Sequence, residues 1–353
     1  MTATPDRPLP HDPATDDRLD PRVRWALGLL PPDGNPPRYA TRDEAVAAAN
    51  TPEALAAARA QRELMLVCDS DEVAPRAGLS TVEHRLVSQP DGNEILVTVV
   101  RPDTDRVLPC VYYIHGGGMA YHSSTMGNYR AWARIVAAHG LVVAMVEFRN
   151  SMQPGAVPEI APFPAGLNDC SSGLRWIHAQ HVELGVDPTR VVVAGESGGG
   201  NLAIALAMRN VREGATDLIA GLYALCPFIV GEYPRPELPS TVVNHGIFIN
   251  LDGNGPFVTY GAEHARNPLA WPYWATEADL VGMPPTVISV NECDPLRDEG
   301  VVFYRRLLAA GVKARCREIK GTMHATEVIP IICPEITADA AAHLAAFATA
   351  GRA

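Results

Sequence analysis

The chain has 353 residues, 47% of them apolar, and a formal net charge of −11. That length accommodates one large domain with a cap, or two domains, and the acidic balance argues against nucleic acid or an anionic membrane as partner. No apolar run approaches the ~20 residues of a membrane span, no basic start precedes an apolar stretch, and seven scattered cysteines without a C-x-x-C pair fit reduced thiols, so a cytoplasmic protein without a signal peptide is expected.

Residues 1–20 are polar and rich in Pro and Asp and read as a loose tail. A short helix over 21–30 is stopped by Pro31 and Pro32. Two helical runs lie between 41 and 66, where Thr51, Pro52 and Glu53 supply an N-cap, a proline at the first helical position and an early acid. Such Ala-rich helices bury little alone, so residues 1–75 are expected to form a cap. Alternating segments at 81–88 and 94–101 flank a Pro-Asp-Gly turn and predict a hairpin. Strands are then expected at 108–114, 141–148, 190–194, 218–225, 286–290 and 313–319. Helices are expected at 128–138, 165–181, 201–213, 298–310 and 335–349. This alternation predicts an α/β class: a mostly parallel central sheet with helices on both faces, over a main domain of residues 76–353. Residues 227–285 break the rhythm with many Pro, Gly, Asn and aromatic residues. An insertion of that kind either lines and covers a site or buries its aromatics on the sheet.

The chemistry starts at residues 191–199. Four apolar residues run into Gly195-Glu196-Ser197-Gly198-Gly199 and then into a strong helix former. A sharp strand-to-helix turn with Ser197 at its apex is a nucleophile elbow, in which the small Gly195 and Gly199 let strand and helix approach closely. A second glycine run, His115-Gly116-Gly117-Gly118, follows the first parallel strand. Amides of Gly117, Gly118 and Gly198 are the candidate donors to an oxyanion, with His115 holding the loop rather than acting as a base.

A matching base and acid must follow Ser197 in the order Ser, Asp or Glu, His. Candidate bases are His245, His264, His324 and His343; candidate acids include Asp252, Asp279, Asp294 and Asp298. Asp294 and His324 stand on loops after the last two predicted strands, at the sheet edge where Ser197 is expected. His324 would take the serine proton and Asp294 would fix the imidazole tautomer.

These motifs, together with Asp294-Pro-Leu-Arg-Asp298 and the Pro162-Phe-Pro-Ala-Gly-Leu-Asn-Asp169 stretch with Trp176, resemble the hormone-sensitive-lipase-like branch of the α/β-hydrolases over residues 80–350. The resemblance implies an α/β-hydrolase fold with a helical cap, hydrolysis of carboxylic esters, and no cofactor. Two departures stand out. Glu196-Ser197-Gly198 replaces the Asp-Ser-Ala of many relatives, and Phe148-Arg-Asn-Ser-Met152 replaces the usual Tyr-Arg-Leu-Ala-Pro-Glu.

The expected activity is that of a serine carboxylesterase acting on short- to medium-chain esters or a lactone through an acyl-Ser197 intermediate. An amidase or lactonase of the same mechanism is the alternative; a non-catalytic receptor on the same fold is disfavoured because all three triad positions are filled. No metal site is expected, since His178 and His181 lack a third ligand, and neither a phosphate-binding nor a dinucleotide-binding glycine motif is present. The expected partner is a small-molecule ester, and an exposed last strand offers an edge for a homodimer.

Overall fold

The computed structural model describes residues 12–29 and 36–350; the start of the polar tail and the stop at Pro31-Pro32 fall outside them. Three helices precede the sheet: α1 (Pro21–Gly28), α2 (Arg42–Ala49) and α3 (Pro52–Met65). Thr51 Oγ1 accepts the Ala54 amide at 3.2 Å, the expected N-cap ahead of Pro52.

Eight strands form one sheet. β1 (Leu79–Val87) and β2 (Glu94–Pro102) make the predicted antiparallel hairpin. β3 (Leu108–Ile114), β4 (Val142–Glu147), β5 (Val186–Glu196), β6 (Gly221–Leu225), β7 (Thr286–Asn291) and β8 (Ala314–Ile319) follow. The spatial order is β1-β2-β4-β3-β5-β6-β7-β8, and every pairing from β4 to β8 is parallel. All residues of β3, β4, β6 and β7 are buried, which is why their sequences are apolar without alternation.

The connections supply α4 (Gly127–Ala137), α5 (Ala165–Ala179), α6 (His181–Leu184), α7 (Gly198–Arg212), α8 (Ser240–Val243), α9 (Gly255–Gly261), α10 (Glu277–Leu280), α11 (Arg297–Ala309) and α12 (Pro334–Ala350). Alternate residues of β3 sort onto two cores. Cys110, Tyr112 and Ile114 join the face covered by α5, α7 and α11, and Val111 and Tyr113 join the face covered by α4 and α12. The predicted α/β-hydrolase architecture is therefore present, with differences at the edges of elements. The elbow helix starts at Gly198 rather than at 201, because glycine is required there. A Cβ on Gly199 would strike the backbone of Ile114 and His115, so close approach outweighs poor helix propensity. Residues 216–218 form a 3-10 turn, which delays β6 to Gly221.

Residues 12–20 are not loose. Leu19, Val23 and Leu27 recur at helical spacing and pack on Ile247, Cys293 and Met323. The Asp20 amide donates to Gly321 O at 2.9 Å, and Arg18 Nη1 donates to Asn244 Oδ1 at 3.0 Å. Further along, Ala45 and Ala49 of α2 pack on Ala120 and Met152 beside the glycine loop. Among the described residues, no helix is long and apolar enough to cross a membrane.

Candidate active site

Strand register brings the chemistry to one edge. Ile114 pairs with Gly195, Glu196 with Leu225, Leu225 with Ser289 and Asn291 with Ile319, so the loops after β3, β5, β6, β7 and β8 leave the sheet side by side. These loops carry the glycine run, Ser197, Cys226, Asp294 and His324 respectively.

Ser197 sits between β5 and α7 with φ 55° and ψ −120°, a conformation an L-residue rarely adopts. Two backbone hydrogen bonds hold it there. Its amide donates to Leu225 O at 2.9 Å, and its carbonyl accepts the Phe228 amide at 3.0 Å. Between those two residues lies Cys226, whose Sγ is within 4.8 Å of ligand atoms on both Asp294 and His324. The loop after β6 thus ties the serine to the acid and the imidazole.

His324 Nδ1–H donates to Asp294 Oδ2 at 2.7 Å, and Asp294 Oδ1 accepts the Leu296 amide at 2.8 Å. Both side chains are buried. Burial alone would lower the imidazole pKa, but its neighbours, led by the charge and hydrogen bond of Asp294, outweigh it and leave His324 above its ordinary value. Burial pushes the Cys226 thiol well above its ordinary value.

Gly117 (φ 96°) and Gly118 (φ 62°) turn the loop after β3 toward Ser197. A Cβ on Gly198 would collide with the Gly118 and Met119 amides, so the two glycine segments touch. His115 Nδ1–H donates to Gly116 O at 2.9 Å and its ring stacks on Phe148 at 4.4 Å; it holds the loop, as expected, and burial lowers its pKa.

A cavity of about 320 Å3 opens over Ser197, Gly117 and Gly118. Phe228, Tyr233 and Phe257 of the insertion line it, together with Tyr39 and Pro36 of the N-terminal segment. Trp271, Tyr260 and Tyr273 are buried in the core instead, so the insertion's aromatics divide between the cavity wall and the core. A larger cleft of about 590 Å3, bordered by Ile219, Pro285 and Lys313, opens near the amino ends of β6 to β8 and holds none of the candidate groups.

The other candidates have different work. His245 pairs with Asp252 at 3.2 Å inside the insertion, and His264 packs edge-on against Phe163. His343 meets Tyr223 Oη at 3.0 Å on α12. Asp279 caps α10 with Thr276, and Asp298 accepts the Ser240 amide at 2.7 Å. His178 and His181 each contact a backbone carbonyl at 2.8 Å.

Sequence reasoning missed the scaffold around Asp294 and His324. Asn291 Nδ2 donates to Thr322 Oγ1 at 2.9 Å and to Glu327 Oε2 at 2.8 Å, clasping both arms of the His324 loop. Glu147 accepts Ser124 N–H at 2.7 Å and Ser123 Oγ–H at 3.0 Å, pinning the far side of the glycine loop. The divergent 148–152 segment does pack: the Arg149 guanidinium grips Asp169 with bonds at 2.8 and 2.9 Å, its amide adds a third at 2.9 Å, and the Ser151 amide donates to Met119 O at 2.9 Å. A polar residue inside an apolar run, such as Glu147 or Asn291, was the available signal.

Comparison with known proteins bears on the family and the fold. Residues 111–328 match a family described as alpha/beta hydrolase fold. A carboxylesterase of Mycobacterium tuberculosis, NlhH, is 31% identical over 265 residues, covering 72% of this chain and 77% of that protein. The solved esterase Est22 is 50% identical, covers 96% of this chain and 98% of its own, and superposes with a TM-score of 0.93. Brefeldin A esterase, described as a bacterial homologue of human hormone-sensitive lipase, is 37% identical with a TM-score of 0.82, covering 96% of this chain and 95% of its own.

Proposed function

The chain belongs to the alpha/beta hydrolase fold family, on its hormone-sensitive-lipase-like branch, and is a serine carboxylesterase; from that premise we propose that Ser197, His324 and Asp294 carry the reaction. Ser197 Oγ attacks the ester carbonyl while His324 Nε2 takes its proton. Asp294 holds the Nδ1–H tautomer and stabilises the imidazolium. The tetrahedral oxyanion is received by the amides of Gly117, Gly118 and Gly198. His324 then protonates the departing alkoxide, leaving acyl-Ser197. Water, deprotonated by His324, attacks the acyl carbon; collapse releases the carboxylic acid and returns the proton to Ser197. The observation that carries this assignment is the 2.7 Å His324–Asp294 hydrogen bond at the sheet edge that also bears the strained Ser197.

The cavity lining supports a substrate class. It is aromatic and aliphatic, with Asn250 and Asn254 as its amide groups and no charged side chain among the described residues. Neutral esters with short to medium acyl chains, or a lactone, fit such a wall; acids do not. The hydrolysed product is a carboxylate facing no cation, which favours its release. The solved structure of Est22 with p-nitrophenol makes aryl esters a practical probe. Residues 1–75 act as a cap and 227–285 as the opposite wall of the site. This reading is supported by the Tyr39 amide, which donates to Asn254 Oδ1 at 2.8 Å across the opening. The seven cysteines, all free, fit a reducing compartment such as the cytoplasm, and the edge strand β8 fits pairing into a homodimer.

Ser197→Ala tests the assignment. Turnover of p-nitrophenyl acetate should fall by about 10⁶, to the residual level of binding and oxyanion donors alone. Activity close to wild type in that variant would remove Ser197 as the nucleophile.

A further inference from the structure

Glu196 precedes the nucleophile and takes no part in the steps above, yet only 3% of it is exposed. Its carboxyl turns inward, toward the back of the glycine loop. Tyr129 Oη–H, from α4, donates to Glu196 Oε1 at 2.8 Å. The same phenol oxygen accepts the Gly116 amide at 3.2 Å. Tyr113 Oη–H, from β3, reaches the other carboxyl oxygen at 3.4 Å. A Cβ on Gly116 would strike the Glu196 carboxyl, so the first glycine of the loop has to be bare because Glu196 fills the space beside it.

The result is a relay from Gly116 N–H to Tyr129 Oη–H to Glu196. A phenol can donate or accept. A carboxyl oxygen on one side fixes its proton there and leaves a lone pair for the Gly116 amide. Gly116 leads directly into Gly117 and Gly118, and Glu196 leads directly into Ser197, so one chain of two hydrogen bonds sets the spacing between donors and nucleophile. Burial also pushes the Glu196 carboxyl up to about 8, so at neutral pH the group behind the loop carries little negative charge to oppose an oxyanion.

We propose that Glu196 and Tyr129 are positioning residues that hold the oxyanion-binding amides of Gly117 and Gly118 in register with Ser197. The inference rests on the esterase assignment above. It requires their effect to fall on transition-state stabilisation and to spare ground-state binding.

The experiment compares Tyr129→Phe, Glu196→Leu and Glu196→Gln with wild type, using p-nitrophenyl acetate for kcat and KM and an alkyl trifluoromethyl ketone as a tetrahedral mimic. Tyr129→Phe and Glu196→Leu each break the relay. For both, kcat should fall roughly 10- to 100-fold, short of the 10²–10³ for losing a donor outright. KM should stay within about twofold, and ketone affinity should fall by the same factor as kcat. Glu196→Gln keeps an acceptor of the same shape and should rescue all three quantities to within about threefold of wild type. The inference is overturned if Tyr129→Phe leaves kcat and ketone affinity unchanged, or if KM alone moves. Should Glu196→Leu fail to fold, Tyr129→Phe carries the test, since it removes one oxygen from a packed ring. Ser197→Ala, run in parallel, separates the two claims: an active Ser197→Ala protein defeats the esterase assignment, while an inactive one beside a normal Tyr129→Phe defeats only the relay.

Discussion

Two aspartates four residues apart, Asp294 and Asp298, follow β7, and their surroundings assign them different work. Asp294 lies in the acceptor position to His324 Nδ1, whereas Asp298 is occupied by the Ser240 amide and by Arg297 Nε at 2.9 Å. Asp294→Asn should therefore cost about 10⁴ in kcat by stabilising the wrong tautomer, and Asp298→Asn should leave steady-state turnover within a few-fold of wild type. The pH profile gives a second reading. The proposed mechanism needs neutral His324, and the net effect of its neighbours is to raise its pKa. The acid limb of kcat/KM should then lie above the ordinary imidazole value of about 6.5, and Asp294→Asn should move it to lower pH. The linkage to stability has the matching sign. A raised folded-state pKa stabilises the fold fully below the unfolded value, and that contribution is lost as pH rises through the folded value. Asp294→Asn should accordingly lower the melting temperature more at pH 5.5 than at pH 8.5.

The wall of the cavity is an element-scale problem, and one residue of α11 fastens it. Glu299 is fully buried and accepts the Ile229 amide at 2.6 Å and Tyr233 Oη–H at 2.8 Å, joining the insertion to the helix behind Asp294. Burial pushes its carboxyl up to about 8, so a neutral amide of equal shape should replace it well. Glu299→Gln should keep wild-type KM, while Glu299→Ala should lose about 1–3 kcal/mol by orphaning these donors and raise KM for aryl esters. Thermal unfolding and KM, measured on both variants, check this. The contrast shows which elements were legible in the sequence. The β5–α7 elbow was, because its glycines, serine and apolar flanks are contiguous and each has a local steric reason. The insertion was legible only as an aromatic irregularity, because the Tyr233–Glu299 contact joins residues 66 apart and leaves no local pattern. Residues 12–20 were misread because polar composition obscured the apolar spacing of Leu19, Val23 and Leu27, which registers only when 12–28 is taken as one unit.

At the scale of the whole molecule, strain and bracing converge on the same edge. The non-glycine residues with positive φ among those described are Met119, His122, Ser197, Cys226, Phe248 and Ala325. Five stand on loops after β3, β5, β6 and β8, and Phe248 stacks over His324 at 6.5 Å. At on the order of 1–3 kcal/mol each, such conformations persist only where surrounding structure holds them. Part of that hold comes from the far N-terminal side of the chain. Asp16 fixes Arg18 through a 2.6 Å ion pair, and Arg18 donates to Asn244. Asn244 Nδ2 in turn donates to Glu292 O at 3.1 Å and Asp294 O at 3.0 Å, while Asp20 binds the Gly321 carbonyl just before His324. The segment up to α1 therefore braces the loops of Asp294 and His324, and Pro36 and Tyr39 line the cavity. Truncation should separate these roles. Removing residues 1–28 should lower kcat about tenfold by loosening the His324–Asp294 pair, with the ranking of acyl-chain lengths unchanged. Removing residues 1–49 should in addition change that ranking, because Pro36 and Tyr39 leave the cavity wall. An ester panel from acetate to octanoate, run on both truncations, distinguishes them; a changed ranking already present in the shorter deletion would show that the brace and the roof are one unit.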